Sequence, residues 1–223
     1  MSVSLAGILC FAAAVREMRG ELAEMSALAE ESVSLSEAGG FPVYQGAALV
    51  IAGYAETKLG GRASGLARIQ EGFGILGKTG TQLYAPWFLS RLVEAYQDAG
   101  RSEEALATVD VALALARRNV DSYYEPGLLH LRGELLLSAA DDAGRKAGEA
   151  HFREALERAR SAGALMLELR AATSFARLRR AQGRAEEGRA LLAPLYAAFH
   201  EGLDTRDLRA ARALLDELGG PAA

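Results

Sequence analysis

A helical pattern recurs along this chain with a period of about 40 residues, and this repeat constrains the fold more than any single motif. Positions in register include Met25, Gly65, Ala105, Gly148 and Gly188. A glycine also marks four predicted turns, at Gly20, Gly60, Gly100 and Gly183. A fixed period in this range is typical of stacked helical hairpins, none of which can bury its apolar face alone. The sequence therefore predicts an all-α solenoid.

Five hairpins and one final helix account for the chain, which we interpret as a single domain over residues 1–223. The predicted helix pairs are 3–18 with 21–38, 42–59 with 62–78, 82–99 with 102–118, 123–139 with 145–162, and 165–182 with 185–200. A polar loop is expected at 141–144. Residues 205–218 alternate apolar and charged positions at helical spacing, which predicts a capping helix with Asp204 or Thr205 as its N-cap.

The composition indicates a folded protein of a reducing compartment. Half of the residues are hydrophobic, 24% are charged and the formal net charge is −4, which is typical of globular domains. This acidic balance argues against nucleic acid as the main ligand, because nucleic-acid-binding surfaces are basic. The lone Cys10 cannot form an internal disulfide, which favours the cytoplasm.

The first predicted helix contains an unbroken apolar run over residues 5–15. The run is too short to span a membrane, and no Lys or Arg precedes it as in a secretory signal. A terminal hairpin of a solenoid should instead carry a polar outer face. We therefore expect that something covers this helix or that the stack continues, and a homodimer through the helix is one way to cover it.

Several glycines occupy positions inside predicted helices, where each costs about 1 kcal/mol relative to alanine. They are Gly53, Gly65, Gly72, Gly133, Gly148 and Gly188. Because Gly and Ala share these register positions, we expect small residues to let neighbouring helices approach closely. The alternative is that glycine arose by sequence drift at positions that tolerate it.

The third hairpin carries the repeat most clearly. Its pattern consists of Leu89, Leu92, Val93 and Tyr96, then Gly100 at the turn, then Ala105, Val109 and Ala112. This pattern resembles a tetratricopeptide repeat, whose usual period is about 34 residues. The longer period of this chain is similar to that of the tetratricopeptide-like regions of bacterial signal-transduction ATPases. The resemblance implies a TPR-like α-α superhelix.

Four segments in the second half of the chain carry a more specific resemblance. They are YYEPGLLHLRGELLL (123–137), AHFREALERAR (150–160), ELRAATSFARLRRAQGR (168–184) and LLAPLYAAFHEGLDTRDLRAARALLDEL (191–218). They resemble the C-terminal repeat region of predicted bacterial ATPases that carry an adenylate/guanylate cyclase domain or a winged-helix regulator. Tyr123 and Tyr124 stand where that family often has paired tryptophans. The resemblance implies partner ATPase or cyclase modules in cis or in trans, whose activities belong to no residue of this chain.

The resemblance also implies where a partner would bind. In tetratricopeptide-like stacks the first helix of each hairpin lines the concave side. Transferring that register predicts a groove formed by Tyr54, Trp87, Ser90, Glu94, Gln97, His130, Glu134, Arg170, Thr173, Arg177 and Arg180. Aromatic anchors beside polar and charged groups are typical of a protein-binding patch. Packing below Pro86 explains Trp87 equally well.

Four arginines form a stripe near the end of the predicted groove. Arg170, Arg177 and Arg184 recur at every seventh position, with Arg180 alongside, so they share one side of a helix. The stripe is either a solvated face or the cationic end of a groove that attracts an acidic peptide.

No pattern predicts catalysis, a cofactor or a metal site. Residues 72–79 have the spacing of a phosphate-binding loop, Gly-x-x-x-x-Gly-Lys-Thr, but they end a predicted helix and follow no strand. His130, His151 and His200 lack a second ligand of the kind that zinc sites use, and no nucleophile–base set can be assigned from spacing.

The sequence therefore predicts a non-enzymatic scaffold that binds a protein or peptide in a groove and serves bacterial signal transduction. The alternative is a small-molecule sensing domain of a transcriptional or signalling regulator, in which the helical stack encloses an effector.

Overall fold

The computed structural model describes residues 2–82, 84–118, 122–138 and 141–219. These residues form eleven α-helices and one short 3-10 turn, and they contain no β-strand. The helices are α1 (Val3–Arg19), α2 (Leu22–Gly39), α3 (Pro42–Lys58), α4 (Arg62–Thr79), α5 (Ala85–Asp98), α6 (Ser102–Arg118), α7 (Glu125–Ser138), α8 (Asp142–Ser161), α9 (Leu165–Ala181), α10 (Ala185–Ala197) and α11 (Arg206–Gly219). The all-α prediction of helical hairpins is confirmed. Two residues predicted as helical, 83 and 139, lie outside the described residues.

The chain divides into two compact units, which we call the N-terminal unit (Met1–Ala112) and the C-terminal unit (Leu113–Ala223). The boundary between them falls inside α6. In the N-terminal unit α3 is central and contacts α1, α2, α4 and α5. In the C-terminal unit α9 contacts α7, α8, α10 and α11. A single domain over 1–223 stays a prediction.

Turn glycines end hairpin helices by one shared hydrogen-bond pattern. Gly100 and Gly183 have φ angles of 72° and 74°, a left-handed conformation that glycine adopts without a Cβ clash. After α5 the amide of Arg101 donates to the carbonyl of Tyr96, and after α9 the amide of Arg184 donates to that of Arg179. The recurring turn explains why the helix bounds could be read from the sequence.

Glycines inside the helices mark points where the two helices of a hairpin nearly touch. A Cβ on Gly53 of α3 would lie 2.6 Å from the carbonyl oxygen of Gly65 in α4, and one on Gly65 would lie 2.5 Å from that of Gly53. A Cβ on Gly148 would lie 2.9 Å from the carbonyl oxygen of Gly133. A Cβ on Gly188 would lie 3.0 Å from the carbonyl oxygen of Ala176. The prediction of close packing is confirmed over the alternative of drift.

Polar residues precede the first turns of α8 and α11. The expected polar loop at 141–144 is wrong, because α8 already begins at Asp142 and Asp141 is its N-cap. The Asp141 carboxylate accepts a 2.5 Å hydrogen bond from the amide of Gly144, which satisfies one free donor of the first turn. At α11 the preceding residue is Thr205, whose hydroxyl donates to the carbonyl of Gly202.

The last helix covers the end of the C-terminal unit. Leu208, Ala211, Leu214 and Leu218 of α11 are buried, and the helix packs against α9 and α10. Their spacing forms one apolar stripe on a helix whose other side is charged, as the sequence pattern predicts. None of the described helices combines the length and hydropathy that a membrane-spanning segment requires.

Candidate partner-binding site

The eleven predicted groove residues lie on α3, α5, α7 and α9, the first helices of their hairpins. The N-terminal unit holds Tyr54, Trp87, Ser90, Glu94 and Gln97, and the C-terminal unit holds His130, Glu134, Arg170, Thr173, Arg177 and Arg180. We therefore describe two separate sets, one in each unit.

Three of the predicted groove residues are interior residues and correct the expectation of an open surface there. Tyr54 is only 1% exposed, Ser90 7% and Thr173 6%. The Ser90 hydroxyl donates to the carbonyl of Trp87, and the Thr173 hydroxyl donates to that of Leu169. The three side chains thus pack in the protein interior, because neighbouring helices approach too closely to leave them in an open groove.

In the N-terminal unit, polar groups of α3 and α5 interlock where the groove was expected. The Tyr54 hydroxyl donates a 2.7 Å hydrogen bond to the carboxylate of Glu94. The ammonium of Lys58 lies 3.2 Å from Glu94 and 2.7 Å from Asp98. The predicted residue Gln97 lies on the same helix and is half-buried. These bonds tie the two helices together.

Arg91 is the central cation of this network, and the groove predicted from the register does not include it. Only 8% exposed, it forms ion pairs with Glu94 at 3.2 Å and with Glu17 of α1. Its guanidinium lies 4.9 Å from the ring centroid of Tyr54 and 5.6 Å from that of Trp87. The spacing of Trp87, Arg91 and Glu94 on one helix face was a usable signal.

The network strongly favours the ionised form of Glu94. Burial alone would raise the pKa of this carboxyl group. The charges of Arg91 and Lys58 and the hydrogen bond from Tyr54 outweigh that effect and lower the pKa of Glu94 to about 2.

The predicted groove residue Trp87 is half-buried and packs against Phe88, with ring centroids 5.0 Å apart. It therefore packs against a neighbour and also keeps some exposed surface.

In the C-terminal unit, His130 and Glu134 form a serine–histidine–glutamate cluster with Ser174. The Ser174 hydroxyl lies 2.8 Å from Nε2 of His130 and donates a 2.8 Å hydrogen bond to Glu134. Glu134 also approaches the same Nε2, at 3.3 Å. A catalytic triad needs the serine and the carboxylate on opposite ring nitrogens. This cluster has both on one nitrogen, and Ser174 is buried, so its geometry suits helix packing.

The arginine stripe of α9 is mostly neutralised by nearby carboxylates. Arg170 pairs with Asp207 of α11 at 2.6 Å, and Arg180 pairs with Glu217 of α11. Arg184, beyond the end of α9, pairs with Glu187 at 2.6 Å. Arg177 is exposed and has no acidic partner among the residues that the structure describes. The stripe is thus neither a fully solvated face nor a fully cationic one. Arg177 is its one arginine without a carboxylate partner among the described residues.

A shallow groove between α9 and α11 begins beside Arg177. Its volume is about 530 Å³, and its lining consists of Arg177, Arg180, Ala181, Ala210, Ala213, Leu214 and Glu217. The small alanine side chains leave the space open between the two helices. The groove therefore combines apolar side chains with Arg177 and with the paired Arg180 and Glu217.

The remaining motifs do not form sites. Residues 72–79, which have phosphate-loop spacing, lie inside α4, where backbone amides are occupied by helical hydrogen bonds and cannot surround a phosphate. Gly72 of this segment packs against Gly46 of α3. Within the described parts of the chain, no three His, Cys, Asp or Glu side chains cluster closely enough to hold a metal ion.

Comparison with protein-family models and with curated proteins identifies no relative of this chain. The sequence matches no protein-family model, and no curated protein is significantly similar to it. The resemblance to the repeat regions of signalling ATPases therefore stays a prediction from the quoted segments.

Proposed function

We propose that this chain is a non-enzymatic protein-binding module, and that its C-terminal unit binds an acidic segment of a partner protein in the groove between α9 and α11. The observation that carries the proposal is Arg177, the one arginine of the stripe without a carboxylate partner in the described residues. It lines a groove together with Ala181, Ala210 and Ala213.

The chemistry of the groove supports a segment that combines a carboxylate with small apolar side chains. A carboxylate on Arg177 would form a charge-assisted and often bidentate hydrogen bond. Ala181, Ala210 and Ala213 would contact the apolar part of the segment. Charge complementarity of this kind contributes mainly to partner selection and association rate.

A direct binding experiment tests this proposal. The probe is a panel of fluorescein-labelled decapeptides composed of Glu, Leu and Ala, compared with Lys, Leu and Ala peptides by fluorescence anisotropy. We expect the acidic peptides to bind and the Arg177→Glu variant to weaken their binding at least tenfold, about 1.4 kcal/mol. Arg62→Glu makes the same charge change on an exposed residue of α4 and serves as the control. Equal binding of both peptide classes, or equal loss in both variants, would refute the assignment.

A small-molecule effector is the second candidate, because the groove volume of about 530 Å³ suits a small ligand. Ligand pockets typically enclose about 300–1000 Å³. The ligand would be a small carboxylate bound by Arg177. A thermal-shift screen with dicarboxylates separates the two candidates. A compound that raises the Tm of the wild type and not of Arg177→Glu would favour the sensor.

The proposed biological setting is bacterial cytoplasmic signalling, in which the module works with an ATPase or cyclase module in cis or in trans. It rests on the resemblance of four segments, the last of which, 191–218, contains part of α10 and most of α11. Sequencing the coding region on either side tests the cis form. Co-purification with an ATPase or cyclase from the source cell tests the trans form.

A further inference from the structure

Two ion pairs join α9 to α11 at the same sequence separation. Arg170 pairs with Asp207, and Arg180 pairs with Glu217. Each acidic residue stands 37 positions after its arginine. Because this separation is constant, the two helices lie side by side and run in the same direction.

Arg177 lies between these two ion pairs along α9. The residue at the same separation from it is Leu214, which is buried and lines the same groove as Arg177. Where the other two arginines meet a carboxylate of α11, Arg177 is therefore opposite an apolar side chain. The charged residues of the groove lining are Arg177, Arg180 and Glu217, so one positive charge is left uncompensated there.

The two ion pairs differ in how far they are exposed to water. The side chains of Arg170 and Asp207 are 29% and 15% exposed, whereas those of Arg180 and Glu217 are 49% and 55% exposed. Exposed ion pairs contribute little, because water and salt screen the charges and two long side chains lose their freedom. A carboxylate of another molecule can therefore replace Glu217 at Arg180 at small cost.

We propose that Glu217 determines the specificity of the groove as an internal competitor for Arg180, and that the preferred partner segment carries two carboxylates. One carboxylate binds Arg177, and the other displaces Glu217 from Arg180. This inference rests on the proposed function and narrows its ligand from an acidic segment to a doubly acidic one. A segment with a single carboxylate binds Arg177 only, beside an Arg180 that keeps its internal partner.

The spacing of the two arginines indicates the spacing of the two acids. Arg177 and Arg180 are three positions apart on one helix, where Cβ atoms are about 5–6 Å apart. In an extended segment, side chains two positions apart point to the same side and are separated by roughly 6–7 Å. The motif Glu-Ala-Glu therefore presents two carboxylates to two guanidinium groups, each of which can form charge-assisted hydrogen bonds.

Fluorescence anisotropy with two labelled decapeptides tests the inference. Both peptides consist of Ala, Ser and Leu around a central motif, which is Glu-Ala-Glu in the first and Glu-Ala-Gln in the second. Glu217→Gln should tighten binding of the Glu-Ala-Glu peptide about fivefold, the upper range for an exposed ion pair, because Arg180 then has no internal partner. The Glu-Ala-Gln peptide should gain less. Arg180→Ala should remove any preference for the Glu-Ala-Glu peptide.

Asp216→Asn is the matched control. Asp216 precedes Glu217 on α11, is exposed, pairs with Arg212 and lies outside the groove lining. Its substitution removes the same charge and should leave both affinities nearly unchanged, and circular dichroism verifies that each variant keeps its helices. Equal tightening by Glu217→Gln and Asp216→Asn would overturn the inference, whereas Arg177-dependent binding of both peptides would leave the proposed function intact. Binding of neither peptide at millimolar concentration would refute both.

Discussion

Tyr54 donates a 2.7 Å hydrogen bond to Glu94, a residue that stands 40 positions later at the same register point of the next first helix. Lys58 and Asp98 have the same separation in sequence and are also in contact. In these two pairs, equivalent positions of successive repeats therefore lie next to each other. Side chains that sequence reasoning assigned to a groove contact one another instead, which ties α3 to α5.

Removing the Tyr54 hydroxyl should destabilise the N-terminal unit. Tyr54→Phe leaves the half-buried carboxylate of Glu94 with one donor fewer, and hydrogen bonds to charged groups contribute roughly 1.5–3 kcal/mol. We expect the free energy of unfolding to fall by about 2 kcal/mol in urea titrations. Tyr123→Phe, at a 56% exposed position, is the matched control and should change stability by less than about 0.5 kcal/mol. Equal effects of the two substitutions would contradict the structural role of the bond.

Acid should destabilise the protein partly through Glu94. Its pKa is about 2 in the folded protein and 4.5 by reference, so the unfolded state binds more protons between these pH values. The stabilisation is fully present above about pH 5 and is lost as the pH falls towards 2. We expect Glu94→Gln to show a shallower loss of Tm over this acidic range than the wild type. Parallel Tm curves for the two proteins would contradict the assignment.

The glycine contacts predict opposite effects of two Gly→Ala substitutions. Gly53→Ala places a Cβ against the backbone of α4 and should cost about 1–3 kcal/mol by overpacking. Gly74→Ala, on α4, meets no atom within 4 Å and should stabilise by about 0.5–1 kcal/mol through helix propensity. Urea unfolding of both variants measures the difference. A stabilising Gly53→Ala would show that the helices can separate without cost.

The ion pair between Arg170 and Asp207 should hold the start of α11. The Asp207 side chain is 15% exposed. In Arg170→Ala it would lose its 2.6 Å guanidinium partner and keep only Arg206, at 3.6 Å. We expect faster amide hydrogen exchange in the first two turns of α11 and a loss of about 1–2 kcal/mol. Arg180→Ala removes a more exposed arginine of the same helix, which pairs with Glu217 near the other end of α11. This control should leave exchange in those turns nearly unchanged, since exposed pairs contribute little.

Much of the fold could be predicted because its causes are local. Turn glycines, the apolar period and the amphipathic pattern at 205–218 place the helix ends close to their positions in the structure. The wrong loop at 141–144 has a local cause as well. The sequence predicts that Asp141 is part of a polar loop, whereas its carboxylate caps α8, and a polar residue serves either role.

The candidate site was less predictable. The period identified the first helices and the arginine stripe, but it could not identify Arg91, because the equivalent residue one repeat earlier is the apolar Ile51. Nor could it predict the pairing of Arg91 with Glu17, two hairpins away. That contact depends on how closely α1 and α5 approach, which no spacing along the chain encodes.

The amino-acid order alone was thus sufficient for the helices, their turns and the glycine contacts, since these follow from backbone propensity and side-chain size at neighbouring positions. Only the tertiary structure decided that Tyr54 is interior, that Arg177 lacks a carboxylate partner in the described part of the chain and that Ile8 and Phe11 of α1 are exposed. Burial and charge pairing depend on distances between helices, and those distances arise from packing of the whole unit.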